Sequence, residues 1–126
     1  MVGVLYWSSF DNTINQCGTT AAEARAMGCR FEVTSFSWLP TECHNEGIDG
    51  LMETHDIHYY RDENRTVEVD IAEVRLGEAH GFFVSPNYHA AHCALLFQKL
   101  HMATKRGGKV DGLITSLHHT LSLIHI

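Results

Sequence analysis

Proline is scarce in this chain of 126 residues, with two against ten glycines, which excludes a proline-rich linker or a collagen-like repeat. Basic charge is scarce as well. Nine Lys and Arg face fifteen Asp and Glu, for a formal net charge of −6, so there is no cationic stripe of the kind that tracks a phosphate backbone. A nucleic-acid partner is not expected. No uninterrupted apolar run reaches the roughly 18 residues a membrane-spanning helix needs. The opening MVGVLYWSSF is apolar but lacks the basic flank and the length of a signal peptide, and is expected to be the tail of a longer N-terminal segment. Also absent are a phosphate-binding glycine loop, a G-x-S-x-G elbow and a C-x-x-C pair.

What remains is an ordinary globular composition, 44% hydrophobic and 19% charged, long enough for one core. A single domain over residues 1–126 is expected. Histidine is the outlier at ten residues, and His80, His89, His92, His101, His118, His119 and His125 all fall in the second half.

Four cysteines, Cys17, Cys29, Cys43 and Cys93, cannot be paired by count alone. Cys17, Cys29 and Cys43 lie in a loop-rich stretch and are the disulfide candidates. One bridge would add about 2–4 kcal/mol to a small domain. Asn64-Arg65-Thr66 is a glycosylation sequon in what reads as an exposed turn. Cysteines and sequon together point to an oxidising, secretory compartment.

The element pattern predicts an α+β fold, mostly helical, with a small antiparallel hairpin and two C-terminal helices carrying the histidine cluster. Thr20 is placed to cap a helix through Ala24 and Met27, with Glu23 three residues on and Gly28 as the stop. Phe31 to Trp38 reads as one extended segment ahead of Pro40, and Thr41 or Glu42 as the start of a short helix through Ile48 and Met52. Ile57–Tyr60 and Thr66–Val69 flank the polar turn Arg61–Arg65 as a hairpin. Glu73–Leu76 reads as a helical turn and Gly81–Val84 as a short strand. A long helix is predicted from about Pro86 to Arg106, closed by Gly107-Gly108, and Val110–Ile126 reads as a further apolar helix.

Projected at the helical period, His89, His92, Cys93, Leu96, Phe97, Leu100 and Ala103 fall on one stripe of that long helix. His89-Ala90-Ala91-His92-Cys93 would then aim two imidazoles and a thiol at the interior from one patch. Buried polar groups need partners, and leaving one unpaired costs roughly 1–3 kcal/mol. A copper or zinc ion accepts both nitrogen and sulfur and would satisfy all three. His118, His119 or His125 could supply complementary ligands. The alternative is two core-edge histidines bonded to carbonyl groups beside an inert buried thiol. His55, His58 and His101 read as surface residues, and Asp70, Glu73 and Glu78 as a solvated face.

Several segments together resemble a known family. CysGly at 17–18, AAEARAMGCRF at 21–31, SFSWLPTEC at 35–43, YYRDENRTVEV at 59–69, YHAAHCALLFQKLHMA at 88–103 and HHT at 118–120 are similar to fungal membrane-anchored proteins of the UstYa-like, mycotoxin-biosynthesis type. The resemblance runs from Cys17 to about Thr120. It implies an N-terminal membrane anchor, a domain in the lumen of the endoplasmic reticulum or Golgi, and paired H-x-x-H-C motifs. It also implies oxidative tailoring or cyclisation of a small molecule or peptide, with copper as the metal and a paralogue as a possible partner. His89, His92 and Cys93 match the first motif as catalytic candidates, and His89, His92 and His119 are the implied metal ligands. The second motif is broken, since Ser122 and Leu123 stand where its His and Cys belong. Residues after about Leu121 are expected to be non-native, and the chain to be truncated at both ends.

Overall fold

The computed structural model describes residues 3–6 and 17–106. The fold is α+β, as the pattern predicts: short helices and two small antiparallel sheets precede one long helix. The expected helix over Val110–Ile126, with His118, His119 and His125, lies outside the described residues, as does the tail after Leu121.

Local chemistry sets the first helix, α1 (Ala21–Ala26). Thr20 caps it by accepting from the Glu23 amide at 3.1 Å. The Glu23 carboxylate turns back to accept from the Thr19 amide at 2.7 Å, one residue earlier than a capping box requires. Gly28, at φ +78°, stops the helix and lets the Cys29 amide return to Ala24 O at 2.9 Å. That reversal brings Cys29 to Cys17, and the two form a disulfide. Cys43, the third disulfide candidate, is instead a buried thiol.

The segment expected to run straight from Phe31 to Trp38 folds back on itself. Strands β2 (Arg30–Glu32) and β3 (Ser37–Leu39) pair antiparallel, Phe31 opposite Trp38, around a turn over residues 33–36. Phe36 takes a φ of 49°, a left-handed conformation that L side chains seldom adopt. The turn is held by distant groups rather than by a local glycine. Asp49 accepts from the Thr34 amide at 2.9 Å and from its hydroxyl at 3.2 Å.

After Pro40 the chain makes only a 3-10 turn over Thr41–Cys43. The next helix, α2 (Glu46–Met52), starts later than Thr41 because Asn45 caps it, its side chain accepting from the Ile48 amide at 3.0 Å. The Asn45 amide is itself tied to Glu32 Oε2 at 3.0 Å, which fixes the break between turn and helix.

The larger sheet has the order β1-β6-β4-β5, from β1 (Gly3–Tyr6), β4 (Tyr59–Tyr60), β5 (Glu68–Val69) and β6 (Gly81–Val84), all antiparallel. Tyr59 lies opposite Val84 on one side and Val69 on the other, and all three are buried. The hairpin expected around Arg61–Arg65 is therefore present, with shorter strands. Between β5 and β6 a one-turn helix, α3 (Ile71–Val74), is capped by Asp70.

The long helix α4 (Tyr88–Arg106) packs against α2. Among the described residues no helix is long and apolar enough to cross a membrane.

Candidate functional site

The start of α4 is fixed from below. The Tyr88 amide donates to Ser85 O at 3.0 Å, and the Asn87 side chain donates to Asp56 O at 2.8 Å. The helix buries Tyr88, Ala91, Leu95, Leu96 and Lys99, with His92 half-buried among them. That face is turned by roughly one residue position, about 100°, from the predicted stripe. Phe97, expected inside, is 51% exposed.

The consequence for the H-x-x-H-C segment is specific. His89 is exposed, His92 is half-buried, and Cys93 is buried at the flank of the inward face. The expected inward patch of two imidazoles and a thiol does not form, because Tyr88 and His92 take the central position instead.

His92 is tightly placed. Its Nδ1–H donates to the carbonyl of Thr34, in the β2–β3 turn. The Tyr88 hydroxyl lies 3.3 Å from the same nitrogen, and the two rings stack with centroids 5.2 Å apart and planes 18° from parallel. With Nδ1 as donor, Nε2 carries the lone pair. A carbonyl on one ring nitrogen is the usual way a protein orients the other toward a metal. It is equally the bond a structural histidine makes.

Burial pushes the Cys93 thiol above its ordinary pKa, so it stays protonated near neutral pH. It is an apolar packing group here, not a poised nucleophile. Among the described residues no three or more His, Cys, Asp or Glu side chains gather so as to hold a metal ion. His89 and His92, on adjacent turns of α4, are a partial donor set suited to copper or zinc. His119, the third implied ligand, lies outside the described residues.

Behind His92 runs a chain of aromatic contacts. Tyr88 meets Tyr59 edge-on at 6.1 Å, Tyr59 meets Phe82 at 6.3 Å, and Phe82 meets Phe36 at 6.1 Å. Phe31 continues it to Trp38 at 5.6 Å. The Tyr59 and Tyr88 hydroxyls are pushed well above the ordinary phenol range by burial.

A polar core that the motifs do not reveal lies beside His92. Glu32, wholly buried, receives Lys99 Nζ at 2.8 and 3.0 Å on its two oxygens, with the Ser35 hydroxyl and the Asn45 amide as further donors. Asp49 accepts from Thr34 and from Arg75 Nη1 at 2.8 Å, and Arg75 also reaches Glu53 at 2.7 Å. His44, whose side chain is also buried, sits 3.9 Å from Asp49. Its Nδ1 has no partner among the described residues, and burial lowers its pKa. The 33–36 turn is thus gripped from α2 through Asp49, while α4 grips it through His92 and, by way of Glu32, through Lys99.

One signal in the sequence could have exposed this core. Lys99 follows Tyr88, His92 and Leu95 at helical spacing, and a lysine within an inward stripe demands a buried carboxylate. Glu32, set between Phe31 and Val33, is the matching anomaly.

The remaining surface histidines divide. His55 and His101 are exposed as expected. His58 is clamped between Glu68 on Nδ1 and Asp56 on Nε2, the latter at 3.0 Å, and the Glu68 bond holds its pKa up. Glu73 and Glu78 pair with Arg61 and Arg25.

No protein-family model, no curated protein and no solved structure matches the chain.

Proposed function

We propose that the protein is an oxidative tailoring or cyclising enzyme of fungal secondary metabolism, held in the secretory lumen and membrane-anchored in its full-length form. The reading begins from the UstYa-like resemblance of its H-x-x-H-C segment. The observation that carries it onward is the bond from His92 Nδ1 to the Thr34 carbonyl, which fixes the ring's orientation and, in the neutral imidazole, makes Nε2 the acceptor or ligand. His89, exposed one turn earlier, is the second imidazole, and His119 is the expected third. Zinc fits the same donors.

Bound copper would supply one-electron chemistry toward dioxygen or substrate. This chain's own part is to hold His92 rigid, through Thr34 and the Tyr88 ring, and to keep Cys93 protonated and out of reach of oxidants. The substrate class is a small molecule or peptide, and a paralogue is the proposed partner.

A second reading is a non-catalytic, disulfide-stabilised module whose histidines are structural. It is favoured by the same His92 contacts, which also fill the needs of a packing histidine. His89 separates the two, because it is exposed and its replacement by Ala is expected to leave the fold intact. Copper(II) titration of the full chain, followed by electron paramagnetic resonance, should show nitrogen hyperfine structure from more than one imidazole. His89→Ala should weaken binding at least tenfold, an effect of about 1.4 kcal/mol. Unchanged copper binding in His89→Ala, or no binding by the wild-type chain, would leave the second reading standing.

A further inference from the structure

We infer that Asn64 is an N-glycosylation site used before the β4–β5 hairpin closes, and that folding then locks the sequon away from the transferase. The inference rests on the lumenal placement proposed above. Asn64-Arg65-Thr66 has the required N-x-T form with no proline at its centre. Asn64 is exposed at the hairpin tip, so a bulky saccharide there displaces no core group. The Cys17–Cys29 disulfide is an independent feature of the same chain that suits an oxidising lumen.

The folded tip is a poor acceptor. Asp62 accepts from the Thr66 hydroxyl at 2.5 Å, from the Thr66 amide at 2.9 Å and from the Val67 amide at 2.8 Å. Arg65, the middle residue of the sequon, is held at φ +57°. A transferase must reach the carboxamide and the threonine hydroxyl together, and here the hydroxyl is engaged and the backbone is curled. Modification must therefore precede hairpin closure. In the reaction the Asn64 Nδ2 forms a bond to the anomeric carbon of an oligosaccharide carried on a lipid pyrophosphate. The bond from that carbon to the pyrophosphate oxygen breaks, the lipid pyrophosphate leaves, and one Nδ2 proton passes to a base of the transferase.

The glycan has a physical use at this place. Among the described residues β5 is an edge strand of the four-stranded sheet, and Val67 beside it is 49% exposed. A saccharide at the tip would shield an edge that otherwise invites strand pairing.

The test attaches a cleavable secretion leader to the full chain in a eukaryotic host and recovers it from the medium. The wild-type chain should show a mobility shift that peptide-N-glycosidase removes, leaving Asp at position 64. Asn64→Gln and Thr66→Ala should each lose the shift, and Thr66→Ser should keep it. Chain folded in bacteria and then given to microsomal transferase with lipid-linked oligosaccharide should be modified at least tenfold less than nascent chain, with Asp62→Ala narrowing that gap. Secreted wild-type chain without glycan overturns the site. Equal modification of folded and nascent chain overturns the locking. Because the leader forces entry to the lumen, failure of the natural lumenal placement would appear separately, as cytosolic location of the chain under its own full-length gene.

Discussion

Lys99 of α4 places its ammonium against both carboxylate oxygens of Glu32 in β2, inside the domain, with 3% of the lysine and none of the glutamate exposed. Removing two charges from water costs several kcal/mol per ion, so the pair stands only because each lone pair is matched. Lys99→Met strands a buried carboxylate and should destabilise the fold by about 3–5 kcal/mol. Glu32→Leu together with Lys99→Met should cost clearly less than the sum of the two single changes. Urea unfolding of the four proteins measures this. A Lys99→Met variant within about 1 kcal/mol of wild type would mean that the pair does not tie α4 to the hairpin.

Gly77 offers a packing test that needs no charge. Its φ is +65°, and a Cβ there would lie 2.6 Å from the Phe31 ring and 2.8 Å from that of Trp38. The Trp38 indole also donates to Gly77 O at 3.0 Å, so neither ring can retreat freely. Gly77→Ala should lose at least about 2 kcal/mol through overpacking and backbone strain. Gly50, inside α2 with open space at its Cβ position, is the control. Gly50→Ala should be neutral or stabilise by about 0.5–1 kcal/mol. Thermal melts that rank the two variants the other way would contradict the packing described.

Elements set by neighbours could be read directly. Thr20, Glu23 and Gly28 bracket α1, and Pro86 stands just ahead of α4. The β2–β3 reversal could not, because Phe36 carries no turn signal and its φ of 49° is imposed through Asp49 and the carbonyl of Thr34. The inward face of α4 departs from its apolar stripe for a related reason. His89 and Phe97 weight the apolar stripe toward solvent, while Lys99 looks like a surface residue until Glu32 is found beneath it. The H-x-x-H-C segment does not form the expected inward patch, since His89 is exposed while Cys93 is buried. Its one fixed imidazole, His92, owes its placement to a backbone carbonyl more than fifty positions away, which no local pattern encodes.

Two histidines should give the stability curve opposite slopes. His58 has its folded pKa raised, first by the Glu68 bond. Its contribution is fully present below the usual imidazole value of about 6.5 and disappears as pH rises through the folded pKa. His44 has its folded pKa lowered, first by burial. It contributes nothing above about 6.5 and penalises the fold as pH falls from there through the lowered value, because the unfolded chain binds the proton first. Melts between pH 5 and pH 9, in steps of about half a unit, separate the two. His58→Gln should remove part of the alkaline-side loss, and His44→Gln part of the acid-side loss. Proton-resolved titration of the ring signals should place His58 above and His44 below the free value, and the reverse order would refute the clamp and the burial alike.

The Cys93 thiol supplies the sharpest check on the site. It is 2% exposed and its pKa is pushed up by burial, so in the folded chain both access and thiolate are suppressed. Iodoacetamide at pH 8, a little below the ordinary thiol pKa of about 8.5, should label Cys93 at least a hundredfold more slowly in the native protein than in urea. Mass mapping distinguishes it from Cys43, the other buried thiol. The rate also bears on the copper reading, in which His89 and His92 hold the ion without the sulfur. Under that arrangement, loading copper leaves the slow Cys93 labelling unchanged while a charge-transfer band from sulfur to metal is absent. Appearance of such a band would mean that α4 rotates to bring Cys93 outward on binding, and that the face burying Tyr88, Leu95 and Lys99 is the resting one.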